Sequence, residues 1–235
     1  MGGWPCYYVL SISVPAWAAG QWIRHYFTGM FRLCKPLGVA LVGGDVARGE
    51  RFSAGVVMAG TAPKGKALLR GGAKPGDAIY VSGRLGGSAL GLQRLLGGTK
   101  GIRDPAVRRH LYPRPRLELG RFLRQRLRAT AAMDLSDGLS MDLGRLTRAS
   151  GVGAEIDAAA VPRFPGASLD QALHGGEDYE LLFSVPASRR VPAEFNGLPL
   201  TRIGTVVAGH RVTLLKDGRR RPFRPEGFQH FPVEP

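Results

Sequence analysis

Asp134, Ser136 and Asp137 crowd into one short stretch, Ala132-Met133-Asp134-Leu135-Ser136-Asp137-Gly138. Extended side chains alternate with period two, so Asp134 and Ser136 point to the same side. Asp137-Gly138 supplies a turn, and Leu139, Leu143 and Leu146 recur behind it at helical spacing. Two carboxylates and a hydroxyl thus converge where a strand ends and a helix begins. Hard oxygen donors beside free helix N–H groups suit a cation such as Mg2+ that carries a nucleotide phosphate. The same residues also suit plain helix capping by Ser136 or Asp137, and this stretch alone leaves both readings open.

A second acidic stretch, Gly175-Gly176-Glu177-Asp178-Tyr179-Glu180, runs into the apolar Leu181 to Val185. Three acids packed this tightly repel one another unless a cation, a basic group or solvent relieves them. Further candidates are single features. Gly43-Gly44-Asp45 follows the apolar Val39 to Val42 and places exposed backbone and a carboxylate at a sheet edge, where phosphates or metals bind. Arg70 precedes paired glycines and could reach a phosphate with its guanidinium fork. Gly83 to Ala89 opens a helix and could cradle an anion, or simply turn the chain. It has neither the P-loop lysine nor a dinucleotide fingerprint.

These residues need a framework of alternating strands and helices. Tyr7 to Val14 reads as a strand, and Trp17 to Leu37 as a long helix stopped at Gly38, its aromatics expected in the core. Val39 to Val42 reads as a strand covered on both faces, ending at the glycine pair. Phe52 to Met58 and Ala78 to Val81 are further strands, the latter entered through the turn Lys74-Pro75-Gly76-Asp77. Two basic helices flank Tyr112 to Arg116, the expected linker. After the helix behind Asp137 come a strand at Ala154 to Asp157, a short helix near Leu169 and a hairpin turning at Asp217-Gly218. The expectation is an α/β fold, or α+β, with an N-terminal domain over residues 1–112 and a C-terminal domain over 113–235.

The chain has 235 residues, 44% of them hydrophobic and 22% charged, enough for one large core or two modest ones. Its net charge of +15 comes from arginines spread over several segments, without the interleaved aromatics of a single-strand binder. Nucleic-acid binding is therefore disfavoured as the main role. Cys6 and Cys34 form no metal-ligand pair, which points to reduced thiols and the cytoplasm. No apolar run is long enough to span a bilayer.

Taken together, VALVGGD, GGAKPGDAIYVSG, RPRLELG, MDLSDGLSMDLGRL, HGGEDYELLF and the terminal GFQHF resemble the thiamine-monophosphate kinases. Those belong to the superfamily of ATP-binding proteins named for aminoimidazole ribonucleotide synthetase. The resemblance implies a two-domain fold of that type, with an incomplete N-terminal sheet domain and a mixed-sheet C-terminal domain. It implies transfer of the ATP γ-phosphoryl to thiamine monophosphate, giving thiamine diphosphate, with Mg2+ as cofactor and a homodimer as the assembled form. Asp45, Asp134 and Asp137 would hold Mg2+ in one shared pocket. Gly44, Asp45, Arg70 and Ser136 would contact the nucleotide, Glu177 and Phe228 the thiamine part. No role is implied for Asp178 or Glu180.

Such kinases carry further acidic segments nearer the N-terminus, and Met1-Gly2-Gly3 looks like the tail of one of them. The chain is accordingly read as truncated, retaining a half-site that catalyses poorly or not at all alone. The competing readings are another ATP-using synthase of the superfamily, a non-catalytic nucleotide-binding fragment, and a basic nucleic-acid module.

Overall fold

The computed structural model describes residues 2–228. Met1 and residues 229–235, among them Gln229, His230 and Phe231 of the terminal motif, lie outside the described residues. The chain divides into two compact units, Gly3–Lys66 and Ala67–Pro235, the latter taking in Met1–Gly2.

The smaller unit consists of β1 (Trp4–Val14), α1 (Gln21–Cys34), β2 (Ala40–Arg48) and β3 (Ser53–Thr61). Its sheet runs β2-β1-β3, with β2 parallel and β3 antiparallel to β1. Alternation along β1 turns Tyr8, Leu10 and Ile12 inward, against Ile23, Tyr26, Phe27 and Met30 of α1. Gly38, in the left-handed conformation with φ 67°, closes the single turn of tighter helix that follows α1.

Two expectations need correction in this unit. The helix aromatics are only partly core, since Trp17 (66%), Trp22 and Phe31 are exposed. Nor does β2 end at the glycine pair. It runs on through Gly43, Gly44 and Asp45 to Arg48, largely exposed. A bulge opposite Tyr8 and Val9 absorbs the irregularity. Gly44 is required there because a Cβ would run into the Leu10 carbonyl of the neighbouring strand.

The larger unit carries β4 (Ala78–Ser82), α2 (Gly87–Leu96), α3 (Pro105–Leu111), α4 (Leu117–Phe122), β5 (Ala131–Asp134) and α5 (Leu139–Ser150). There follow β6 (Gly153–Asp157), α6 (Leu169–His174), β7 (Leu181–Val185), β8 (Glu194–Phe195), β9 (Leu198–Val207), β10 (Val212–Lys216) and β11 (Arg219–Pro222). The mixed sheet runs β11-β10-β6-β9-β4-β7-β5, with β8 attached to β9.

Strand alternation sorts its residues onto two cores. Ile79, Val81, Ala131, Met133 and Leu182 pack with Leu139, Leu143 and Leu146 of α5 on one face. Ala78, Ala132, Phe183 and Val185 pack with Leu119 of α4 and with Leu123 and Leu127 just beyond it on the other. Each fully buried leucine contributes about 1.5–3 kcal/mol, so α5 is held to the sheet by its apolar stripe. Its N-terminal end is thereby fixed at the end of β5.

The linker expected at Tyr112 to Arg116 falls between α3 and α4, inside the larger unit. The reason is β4, which lies before that segment in sequence but pairs with both β7 and β9 in the sheet. At the far edge β11 presents Arg219, Arg220 and Arg221 to solvent, charges that discourage pairing with another strand.

Candidate functional site

Three segments of the larger unit that are distant in sequence meet at the end of β5. The loop at 135–137 zips onto the loop at 176–180. Glu177 N–H donates to the Ser136 carbonyl at 2.7 Å, Tyr179 N–H to Leu135 at 2.9 Å, and Leu135 N–H to the Glu180 carbonyl at 2.8 Å. Phe228 N–H donates to the Asp137 carbonyl at 3.1 Å. Gly176 and Gly227 permit these approaches, because a Cβ on either would strike the backbone carbonyl of Ser136 or Asp137.

The result is a cavity of about 520 Å3 lined by Ser88, His110, Ser136, Asp137, Glu177, Tyr179 and Phe228 among others. Four of the expected site residues, Ser136, Asp137, Glu177 and Phe228, therefore share one wall system. Asp134 adjoins it, close enough for its charge, together with those of Glu177 and Asp137, to reinforce what burial does to the Tyr179 hydroxyl. All these influences hold that hydroxyl above the ordinary phenol range.

The turn at 135–138 is not a side-chain cap. Gly138 occupies the N-cap position of α5, with φ 109° and no side-chain cap bond, which overturns capping by Ser136 or Asp137. The carboxylate that secures the turn is Asp142, one turn into α5 and fully buried. It accepts the N–H groups of Ser136 at 2.9 Å and Asp137 at 3.0 Å and pairs with Arg145 at 2.7 Å. The Arg145 guanidinium also holds the Asp137 carboxylate.

The acidic stretch after Gly176 alternates in role. Glu177 and Tyr179 face out, while Asp178 and Glu180 are buried. Asp178 accepts Gly86 N–H at 2.6 Å and Ser88 N–H at 3.1 Å, so the glycine turn before α2 does cradle an anion, but one supplied by the protein itself. Burial nevertheless pushes the Asp178 carboxyl up to about 6. Glu180 takes Ser82 Oγ at 2.5 Å, Arg116 through two nitrogens at 2.9 and 2.5 Å, and Arg109. Basic groups, not solvent, relieve this cluster.

Sequence reasoning did not single out Asp142, Arg145, Arg109, Arg116 or His110. His110 lies 2.8 Å from Ser88 Oγ and 3.5 Å from a Glu177 carboxylate oxygen. No local pattern marks these partners; Arg109 and Arg116 reach Glu180 from more than sixty positions away in sequence.

The remaining expected residues lie outside the cavity. The Arg70 carbonyl faces Ser150 at the C-terminal end of α5, while the neighbouring Leu69 carbonyl accepts Ala132 N–H at the start of β5. Its backbone is thus at the opposite end of α5 from Asp137. Gly44 and Asp45 belong to the smaller unit, where Asp45 pairs in register with Ser11 and is exposed. Among the described residues, no group of three or more His, Cys, Asp or Glu is gathered closely enough to hold a metal ion. A separate concavity of about 380 Å3 between Asp157 to Ala159 and the β10–β11 hairpin contains none of the expected residues.

Residues 1–62 match the N-terminal domain model of AIR synthase related proteins, and residues 74–217 match its C-terminal domain model. Thiamine-monophosphate kinase of Salmonella typhimurium is 38% identical over 98% of this chain and 75% of its own length. The crystal structure of thiamine-monophosphate kinase from Stenotrophomonas maltophilia K279a superposes with a TM-score of 0.84 at 37% identity, covering 94% of this chain and 74% of that one. A structure described as AaThiL complexed with AMPPCP and TMP gives a TM-score of 0.86 at 32% identity, covering 98% of this chain and 75% of the other. Identity of 38% over 98% of the chain, with both domain models matched, makes the chain a member of the thiamine-monophosphate kinase family.

Proposed function

We propose that this chain transfers the γ-phosphoryl group of ATP to the phosphate of thiamine monophosphate, giving thiamine diphosphate and ADP. The observation that carries this reading is the cavity itself, where Ser136, Asp137, Glu177 and Phe228 converge from three segments of the fold. An acceptor phosphate is already anionic near neutral pH, so no general base is needed, and catalysis reduces to positioning and charge neutralisation. Glu177 and Phe228 are assigned to the thiamine rings. Ser136, Gly44, Asp45 and Arg70 are assigned to the nucleotide.

Asp45, Asp134 and Asp137 are assigned to Mg2+. Their carboxylates fit a hard cation in kind, and Mg2+ typically takes one or two carboxylates and completes its shell with phosphate and water. Asp134 and Asp137 stand at the end of β5 in the larger unit, whereas Asp45 belongs to the smaller unit. When bound, the ion would neutralise phosphate charge. The chain's own part is to hold the loop rigid through Asp142 and to share Asp137 between Arg145 and the ligand.

We further propose a homodimer in the cytoplasm. Tyr7 and Val9 of β1 and Val57 of β3 lie on the face of the small sheet turned away from α1 and are exposed, an apolar surface suited to a second copy, and both cysteines are free. Among the described residues no helix is long and apolar enough to cross a membrane. The test is ADP release with ATP, Mg2+ and thiamine monophosphate, compared with other acceptors. Release that depends on thiamine monophosphate, and falls in Glu177→Ala, supports the reading; release with an unrelated acceptor instead refutes it.

A further inference from the structure

Tyr179 is held in a conformation that a tyrosine adopts only under constraint. Its φ of 49° lies in the left-handed region, as does the φ of 64° at Glu177. Both neighbours of Tyr179 explain how this is enforced. Asp178 is fixed to Gly86 and Ser88, and Glu180 is fixed to Ser82, Arg109 and Arg116. The two buried acids act as anchors, and the residues between and before them are pushed out into the cavity. Tyr179 remains 38% exposed there, an unusual position for a large ring on a strained backbone.

The surroundings specify what that ring is for. Glu177 and Asp137 line the same cavity, and Phe228 offers a second aromatic surface. An aromatic face beside carboxylates attracts a flat, positively charged ring, by the ring quadrupole as well as by charge. Of the two heterocycles in thiamine monophosphate, the thiazolium carries a permanent positive charge. Resting on the substrate reading above, we propose that Tyr179 is a specificity-determining residue whose ring face, with Glu177, selects the cationic thiazolium over a neutral ring of the same shape.

The experiment uses isothermal titration calorimetry of the full chain with thiamine monophosphate and with its 3-deaza analogue, in which a neutral ring replaces the thiazolium. The wild type is expected to prefer the charged compound. Tyr179→Phe keeps the ring and keeps the preference. Tyr179→Asn removes the ring at a position whose left-handed backbone asparagine accepts well, so it folds with an unchanged or raised melting temperature. In that variant the preference for the charged compound drops by about two- to fivefold, the span of a partly exposed cation–π contact. A structural role alone would leave this ratio untouched. A wild type that binds thiamine monophosphate with the same ratio as Tyr179→Asn overturns the assignment of Tyr179 while sparing the kinase reading. A wild type that binds neither compound overturns the kinase reading, and this assignment with it.

Discussion

Replacing Asp142 by alanine removes the one carboxylate that holds the 135–138 turn in place. Asp142 is fully buried, and it satisfies two backbone N–H groups and one face of Arg145. A hydrogen bond to a charged group is worth about 1.5–3 kcal/mol, so the two amide bonds alone amount to about 3–6 kcal/mol before relaxation. Water entering the vacated space would recover part of this, and breaking a buried pair costs about 3–5 kcal/mol as a rule. We therefore expect a loss of about 3–5 kcal/mol, a large fraction of the 5–15 kcal/mol that keeps an ordinary domain folded. Asp142→Asn retains one acceptor oxygen but faces Arg145 with an amide, and should fall between the wild type and Asp142→Ala. Urea unfolding at equilibrium measures the loss, and an unchanged slope would show that the unfolded state is not the cause. Calorimetry with thiamine monophosphate reads the consequence for the cavity, whose Ser136 and Asp137 walls depend on this turn. A loss below about 1 kcal/mol for Asp142→Ala, with ligand affinity intact, would refute the account, because the turn would then be held by something else.

Three other expectations follow from the same geometry. Glu180→Ala leaves Arg109 and Arg116 without their buried partner and should cost about 3–5 kcal/mol in urea unfolding; a cost near zero would mean that the cluster is not a structural anchor. Asp178 keeps its proton up to about pH 6 when folded, whereas an unfolded carboxyl releases it near 3.9. The stability this group contributes is therefore full below about pH 4 and is lost as the pH rises through about 6, by at most about 3 kcal/mol. Asp178→Asn should lack that component of the slope, and identical pH profiles in the two proteins would contradict the assignment. Gly44→Ala puts a Cβ into the Leu10 carbonyl and should loosen the small sheet, seen as faster amide exchange confined to β1 and β2; native protection in both strands would count against it.

Much of this protein was legible in the residue order alone. Period-two alternation and apolar runs set β1, β4 and β7, the leucine spacing after Gly138 set α5, and Asp217-Gly218 marked a hairpin turn whose two residues do take positive φ. These features are local, decided by contacts a few residues apart. The motifs that resemble the kinase family were legible for the same reason, since each is a run of consecutive residues. The ten-residue β9 escaped notice because Pro199 and Gly204 interrupt its pattern, yet the sheet places it between β6 and β4, where pairing on both sides overrides the weak local propensity.

Only the tertiary structure decided which acids face the cavity and which are spent inside the protein. Glu177, Asp178 and Glu180 look alike in the sequence. Burial and partners from α2, α3 and the start of α4 make two of them anchors and leave Glu177 exposed at the cavity. The same holds for Asp137 and Asp142, of which one faces the cavity and the other locks the turn behind it. Charge and spacing fix what a carboxylate can do, but its solvent exposure and its counter-ions come from segments that only folding brings near.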